Sequence, residues 1–430
     1  MNLFLHGWRA VEIGVLSLSY GVGFVARAGF WLLSHPIAHA GPAPPELLGL
    51  SLARLFEALG VTFVKLGQVL SARPDLISPA VAAPLARLQD DVAPFDGERI
   101  PEILRQAFGR PMEEVFERFD FLPVASASVA HVHRGRLTDG REVAVKIRRP
   151  GVERQVESDL WLFRAGARAL SLLPGMKLMP LLELVDELAE PIRQQVDFAL
   201  EAENLRRFRR NFAAVDHVRI PAPVDGLCTS SVLVMEFMDR LEKVGAVSTM
   251  PAAQRRTAAT TGLRALYKMI FTDGFVHADM HPGNVFLRRS GEVVLLDVGL
   301  VAQLSEEDQR AFVDFFFGLV TNDGLTCARI VYDTATHRAR RCDREAFESA
   351  VVELIDRYSA LRAREFEVTR FVYQLMATQR RFGLRGSTKF IMAILSLVVF
   401  DGICKQLDPE CDFQSEALGF LLMAKFRARA

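Results

Sequence analysis

The sequence predicts an α+β chain: a helical segment first, then a strand-rich segment, then a mainly helical one. Three patterns carry this. Apolar residues recur at helical spacing between Ser51 and Leu70, and apolar and polar residues alternate on both sides of an Asp-Gly pair between Val129 and Arg148. Helical spacing returns after Ser305 and dominates to the end. At 430 residues, half of them hydrophobic, the chain is too long for one simple core, so two or three lobes are expected.

The elements follow in order. Ile13–Ala26 carries no charge and continues past Arg27 into Phe30, Trp31, Leu32 and Leu33. A spanning helix needs about 20 mostly apolar residues. That length is reached only with Arg27 inside, at about 2.5–3.5 kcal/mol near a bilayer centre and less near its edge. No small-residue cleavage site follows, which argues against a signal peptide. An interfacial or weakly spanning helix is expected over residues 1–40, with a helix buried against the protein itself as the alternative. Prolines and glycines mark His35–Gly49 as a linker. In the Ser51–Leu70 helix, Leu52, Leu55, Phe56, Leu59, Phe63, Leu66 and Leu70 form one stripe, while Lys65 and Gln68 fall together on the opposite face, which alone reads as a solvated polar face.

Val129–Arg148 reads as a hairpin turning at Asp139-Gly140, with Val143, Val145 and Ile147 on one face and Ala144, Lys146 and Arg148 on the other. Asp186–Phe208 is mostly helical and broken by Pro191, with Asp197 and Glu201 on one face at i and i+4. Ser230–Met238 and Glu292–Leu300 read as strands. Ser305 and Asp308 form a capping box for a helix carrying Phe312, Phe315, Phe316 and Leu319, and Phe390–Phe400 is too short to span a membrane and reads as a core helix.

Composition excludes some functions. Lys+Arg and Asp+Glu both number 52, so no global basic field points to nucleic acid. The five cysteines are scattered without a C-x-x-C pair, the pattern of reduced thiols in a cytoplasmic environment.

The stretch "HADMHPGN" (His277–Asn284) allows a metal site or a phosphate-positioning loop. The rest of the chain favours the second. Lys146 lies on a strand after a small-residue loop, Glu201 on a downstream helix, Asp279 and Asn284 in this loop, and Asp297 in "DVG" at the end of a strand. Phosphoryl transfer from ATP needs these parts: a lysine for the α/β phosphates, a glutamate to hold it, a carboxylate near the acceptor, and an Asn and an Asp as hard oxygen ligands for magnesium. A zinc site would need more His or Cys ligands. His277 and His281 are then structural, holding the loop by hydrogen bonds. Each motif alone is weak; in this order they are specific.

Beyond about residue 45 the chain resembles the UbiB/AarF family of atypical kinases. "FVKLGQVLSARPDLIS" (Phe63–Ser78) is similar to the family's K-x-G-Q signature, "LARLQDDVAPF" (Leu85–Phe95) to the segment after it, "ASAS" (Ala125–Ser128) to its alanine-rich loop, "QQVDFALEAEN" (Gln194–Asn204) to its E-x-D…E helix, and "HADMHPGN" to its catalytic loop. The resemblance implies a bilobal protein-kinase-like fold with a strand-rich N-lobe and a helical C-lobe. It also implies that the Lys65–Gln68 helix folds over the active site, reversing the solvated-face reading. The resulting domains are 1–40, a helical extension 41–110, an N-lobe 111–239 and a C-lobe 240–430. The implied catalytic set is Asp279, Lys146, Glu201 and Lys65. ATP would be bound by Ala125, Ser126, Ala127, Ser128, Val129, Lys146, Glu236, Met238 and Gln68, and Mg2+ by Asn284 and Asp297.

Four departures stand out. Gln195 replaces the first Glu of E-x-D, so Lys65 keeps a charge that this contact does not compensate. Val298 replaces the Phe of D-F-G, and Met280 replaces a Pro. The chain ends at Ala430, where many relatives continue into two membrane helices, so attachment is expected from the N-terminal segment.

The function so implied is a magnesium- and ATP-dependent atypical kinase or ATPase for isoprenoid-quinone (ubiquinone-type) biosynthesis at the cytoplasmic face of a membrane. Its partners would be membrane lipids or quinone precursors, other quinone-biosynthesis proteins, and a second copy of the chain. Two alternatives are an aminoglycoside- or choline-kinase-type phosphotransferase, opposed by the K-x-G-Q block, and a non-catalytic nucleotide-binding scaffold, motivated by Gln195 but opposed by Lys146, Asp279, Asn284 and Asp297.

Overall fold

The computed structural model describes residues 2–38, 44–71, 73, 76–88, 95–172, 181–339, 341–359 and 366–427. They form two compact units, Met1–Ala202 with Pro223–Phe237, and Glu203–Ala222 with Met238–Ala430.

The first unit opens with helices α1 (Asn2–Ala38), α2 (Pro44–Leu59), α3 (Val61–Ser71), α4 (Pro79–Leu85) and α5 (Ile100–Phe108). Strands β1 (Phe116–Phe119), β2 (Ala125–Ser126), β3 (Ala130–Leu137) and β4 (Glu142–Arg148) follow, then α6 (Val152–Ser171), α7 (Leu181–Gln194) and α8 (Phe198–Asn211). After β5 (Val218–Arg219), which belongs to the second unit, β6 (Val232–Glu236) returns to complete an antiparallel sheet, β1-β3-β4-β6 with β2 on β3.

The expected linker is shorter than His35–Gly49: α1 continues to Ala38 and α2 begins at Pro44, a residue whose fixed φ suits a first helical turn. Residues 39–43, and 89–94 of the segment after K-x-G-Q, lie outside the described residues. The Ser51–Leu70 helix is in fact two helices. Gly60, at φ 91°, ends α2 and donates its N–H to the Phe56 carbonyl (3.0 Å), a left-handed stop that glycine adopts without strain. The Lys65–Gln68 face is not solvated. Besides α2, α3 packs against α4, α6 and α7, so Lys65 is only 8% exposed, and Gln68 Nε2 donates to the Leu88 carbonyl (3.2 Å). Gly67 fits tightly here: a Cβ would overlap Leu88 Cδ1 and lie 2.8 Å from Phe56 Cδ2.

α1 docks by one face. Arg9 donates to buried Asp159 through Nε (2.7 Å) and to the Leu59 carbonyl through Nη2 (2.6 Å). Arg27 donates to Ser51 Oγ (2.9 Å), and Ile13 and Leu16 pack on the α2–α4 core. Trp8, Val11, Val15, Leu18, Val22, Val25 and Phe30 face outward.

The β3–β4 hairpin forms as expected, with Gly140 at φ 86° in its turn. Val143, Val145 and Ile147 enter a core with Val232, Val234 and Leu104, which leaves Lys146 on the other face. Pro191 lies inside α7; the helical break comes later, at Gln195–Asp197. Asp197 therefore does not share a helix face with Glu201. It caps α8, its Oδ1 accepting the N–H of Ala199 (3.0 Å) and Leu200 (3.4 Å).

The second unit contains β7 (Glu242–Lys243), α9 (Ala252–Tyr267), β8 (Phe275–His277), β9 (Val285–Leu287), β10 (Val293–Leu295) and β11 (Val301–Gln303). Its strands form the sheet β5-β10-β9-β7 and the pair β8–β11. Then come α10 (Glu306–Val320), α11 (Gly324–Asp333), β12 (Ala335–Arg338), α12 (Arg344–Ser359), α13 (Val368–Arg381), β13 (Leu384–Gly386), α14 (Thr388–Leu407) and α15 (Phe413–Arg427). The Ser305–Asp308 capping box is present. α14 is largely buried, as expected for a core helix; Phe400 sits where a Cβ on Gly262 of α9 would overlap its ring.

Gly67→Ala should destabilise the protein by about 1–3 kcal/mol through overpacking against Leu88 and Phe56. Gly166→Ala, helical and with nothing within 4 Å of its added Cβ, should instead stabilise by about 0.5–1 kcal/mol. Urea denaturation of the two variants checks both signs.

Candidate active site

The first unit holds a buried ion pair. Strand alternation turns Lys146 away from the apolar core, and its Nζ meets both carboxylate oxygens of Glu201, at 3.0 and 2.8 Å. Lys146 is 8% exposed and Glu201 1%. The Phe198 ring lies 5.0 Å from the ammonium. Charges removed from water need such a partner, and a carboxylate engaged through both oxygens also fixes where the ammonium points.

The alanine-rich loop is held by a residue that the sequence motifs did not identify. Arg149 donates through Nε to the Ala127 carbonyl (2.8 Å) and through Nη2 to Ser126 Oγ (3.1 Å), while its own N–H bonds the Val129 carbonyl (2.8 Å). The Ala127 N–H closes the turn onto the Ala130 carbonyl (2.8 Å). Ser128 and Val129 are buried and Ala125 is exposed. The only sequence signal was the Arg148-Arg149 doublet after Lys146. Glu236 ends β6 in an exposed position, and Met238, buried, begins the second stretch of the second unit. Lys65 and Gln68 lie on α3, with the Gln68 amide engaged by Leu88.

The second unit holds a loop between β8 and β9. Burial lowers the pKa of His277, which therefore stays neutral. Its Nδ1 accepts the Asp279 N–H (3.2 Å), so Nε2–H donates to the Leu296 carbonyl (3.3 Å). Ser396 of α14 donates to the His277 carbonyl (2.9 Å), a support no motif announced. His281 Nδ1 accepts the Gly283 N–H (2.9 Å). Both histidines thus hold the loop. Asn284, 6% exposed, donates through Nδ2 to the Asp279 carbonyl (2.9 Å) and approaches its Oδ2 (3.4 Å).

Asp297 follows β10 and is exposed, at φ 48°. A left-handed residue other than glycine costs about 1–3 kcal/mol, and Asp is among those that tolerate it best. Its neighbours are fixed: Leu296 N–H bonds the Asn284 carbonyl (2.9 Å), and the Val298 carbonyl accepts from Asn204 Nδ2 (2.9 Å).

The donor set fits magnesium. Asp297 offers a carboxylate, and Asn284, whose amide nitrogen is engaged by Asp279, retains a carbonyl oxygen. Among the described residues no group of three His, Cys, Asp or Glu could hold a metal. A cation on these two residues would therefore need oxygens from a ligand such as a phosphate chain.

Lys146→Met should cost about 3–5 kcal/mol by removing the ammonium that faces the buried Glu201 carboxylate. Adding Glu201→Leu should restore part of that loss. Thermal and urea denaturation of the single and double variants decide it: a double variant less stable than the single one would contradict the buried-pair account.

Comparison with known proteins shows the family. Residues 87–331 match the ABC1 atypical kinase-like domain and residues 351–412 the UbiB helical domain. A probable protein kinase UbiB from Tolumonas auensis is 31% identical, over 97% of this chain and 79% of that protein. Another, from Pseudomonas putida, is 34% identical over 88% of this chain and 71% of that protein. The structure of Rv3197 from Mycobacterium tuberculosis, in complex with erythromycin, shares the fold, with a TM-score of 0.53 at 24% identity over 80% of this chain and 87% of that one. The chain belongs to the UbiB family of ABC1-type atypical kinases.

Proposed function

We propose that the protein is a magnesium- and ATP-dependent atypical kinase or ATPase that serves isoprenoid-quinone biosynthesis at a membrane. The observation that carries the catalytic part is the buried Lys146–Glu201 pair, which pre-orients one ammonium group. A lysine held this way suits the α/β phosphates of a nucleotide. Ala125–Val129, held in a closed turn by Arg149, would cover the phosphates, with Glu236 and Met238 toward the base. Asn284 and Asp297 would hold magnesium, which when bound supplies neutralisation of phosphate charge. Asp279, oriented through its N–H by His277, would position the acceptor's attacking oxygen. Membership of the UbiB family supports the quinone-biosynthesis setting.

The membrane part of the proposal rests on α1. Its arginines face Asp159, Leu59 and Ser51 of the protein, and its apolar side faces outward, with Leu18 70% and Val22 62% exposed. A helix docked through Arg9, Arg27, Ile13 and Leu16 and apolar on its free side suits the membrane interface at the cytoplasmic face.

Asp297→Asn should weaken magnesium-dependent ATP binding at least tenfold, about 1.4 kcal/mol, without changing the melting temperature, because Asn also tolerates the left-handed conformation. Calorimetric titration with ATP and magnesium reads this; unchanged magnesium-dependent binding in the folded variant would overturn the assignment.

Leu18→Glu with Val22→Glu should reduce co-sedimentation with phospholipid vesicles severalfold while nucleotide binding and melting stay as in the wild type. Undiminished vesicle binding would place the anchor elsewhere.

A further inference from the structure

Asn204 lies on α8, one turn after Glu201, and is 7% exposed. Its Nδ2 donates to the carbonyl of Val298 at 2.9 Å. Val298 follows Asp297, and its side chain is fully buried. On the other side, Leu296 is held at both polar backbone groups: its N–H by the Asn284 carbonyl (2.9 Å) and its carbonyl by His277 Nε2 (3.3 Å). Asp297 is thus an exposed residue in a left-handed conformation between two clamped neighbours.

We infer that Asn204 is a positioning residue for Asp297: its amide fixes the Val298–Gly299 peptide and so holds the turn that presents the Asp297 carboxylate to a divalent cation. The inference rests on the reading of Asp297 as a magnesium ligand given above. The chemistry explains the residue type. A buried carbonyl needs a donor, and an amide supplies one without a charge. Aspartate has the same shape but, when ionised, no donor, and it would face the Val298 carbonyl with like polarity. Lysine or arginine would bring a cation close to the metal position.

The test uses the full chain with Asn204→Asp, and Asn204→Ser as a milder variant that keeps a shorter donor. Two readouts are needed. Hydrogen–deuterium exchange of the peptide covering Leu296–Leu300, without ligand, reports the loop. Calorimetric titration of ATP at stepped magnesium concentrations reports the metal requirement. Exchange of the Val298 and Gly299 amides should speed up, and half-saturating magnesium should rise at least fivefold for Asp and less for Ser. ATP binding without magnesium should be unchanged. In an Asp297→Asn background, Asn204→Ser should add no further rise. Faster exchange with an unaltered magnesium requirement would show a purely structural contact and overturn the inference, as would an unaltered loop. A global loss of protection in Asn204→Asp moves the decision to Asn204→Ser, judged by the same two readouts. A wild-type protein that binds ATP without needing magnesium would remove the reading of Asp297 itself, and this inference with it.

Discussion

The ammonium of Lys146 and the carboxylate of Glu201, both nearly sealed from water, set the conditions for the first unit. Each charge is stabilised there by the other, which sets the start of α8 against β4. The neighbouring contacts enforce this. Asp197 caps α8, the Phe198 N–H bonds the Ser230 carbonyl (3.2 Å), and Arg148 Nη1 reaches the carbonyls of Val196 (2.7 Å) and Ser230 (3.0 Å). The Arg148–Val196 and Phe198–Ser230 bonds thus fix the start of a helix whose decisive group is one glutamate. The hairpin supplies the other half, since its apolar face is committed to the core and the opposite face carries Lys146.

Among the described residues, the loop of the second unit has no buried charge pair of this kind. Its order comes from a neutral imidazole. His277, kept uncharged by burial, offers one acceptor and one donor, and these tie the Asp279 N–H to the Leu296 carbonyl across two separate segments. A charged imidazole would have two donors and no acceptor, and the Asp279 contact would fail. This division of labour separates the residues that hold the loop, His277, His281 and Ser396, from those with oxygens to offer a ligand, Asp279, Asn284 and Asp297.

Local patterns were legible where one element decides its own structure. The β3–β4 hairpin follows from alternation and its Asp-Gly turn, the α10 start from Ser305 and Asp308, and the structural role of the two histidines from the shortage of soft ligands around them. What remained hidden depends on several elements at once. A helical wheel assumes one packed face, but α3 meets α2, α4, α6 and α7, so Lys65 is buried. The same crowding explains Gly67. The Ser51–Leu70 stripe continues across Gly60, so periodicity could not show the break. Asp197 moves from helix face to cap because α8 starts one residue after it. Ser396 and Asn204 act on backbone carbonyls, and Arg149 does so in part, a target that leaves no partner residue type in the sequence.

The central claim of the proposal is that the chain binds one magnesium nucleotide. Calorimetric titration of the wild-type chain with ATP, with magnesium and with excess chelator, tests this most directly. The account predicts one nucleotide per chain, with affinity falling at least tenfold when magnesium is removed. Two nucleotides per chain, or an affinity indifferent to magnesium, would contradict it.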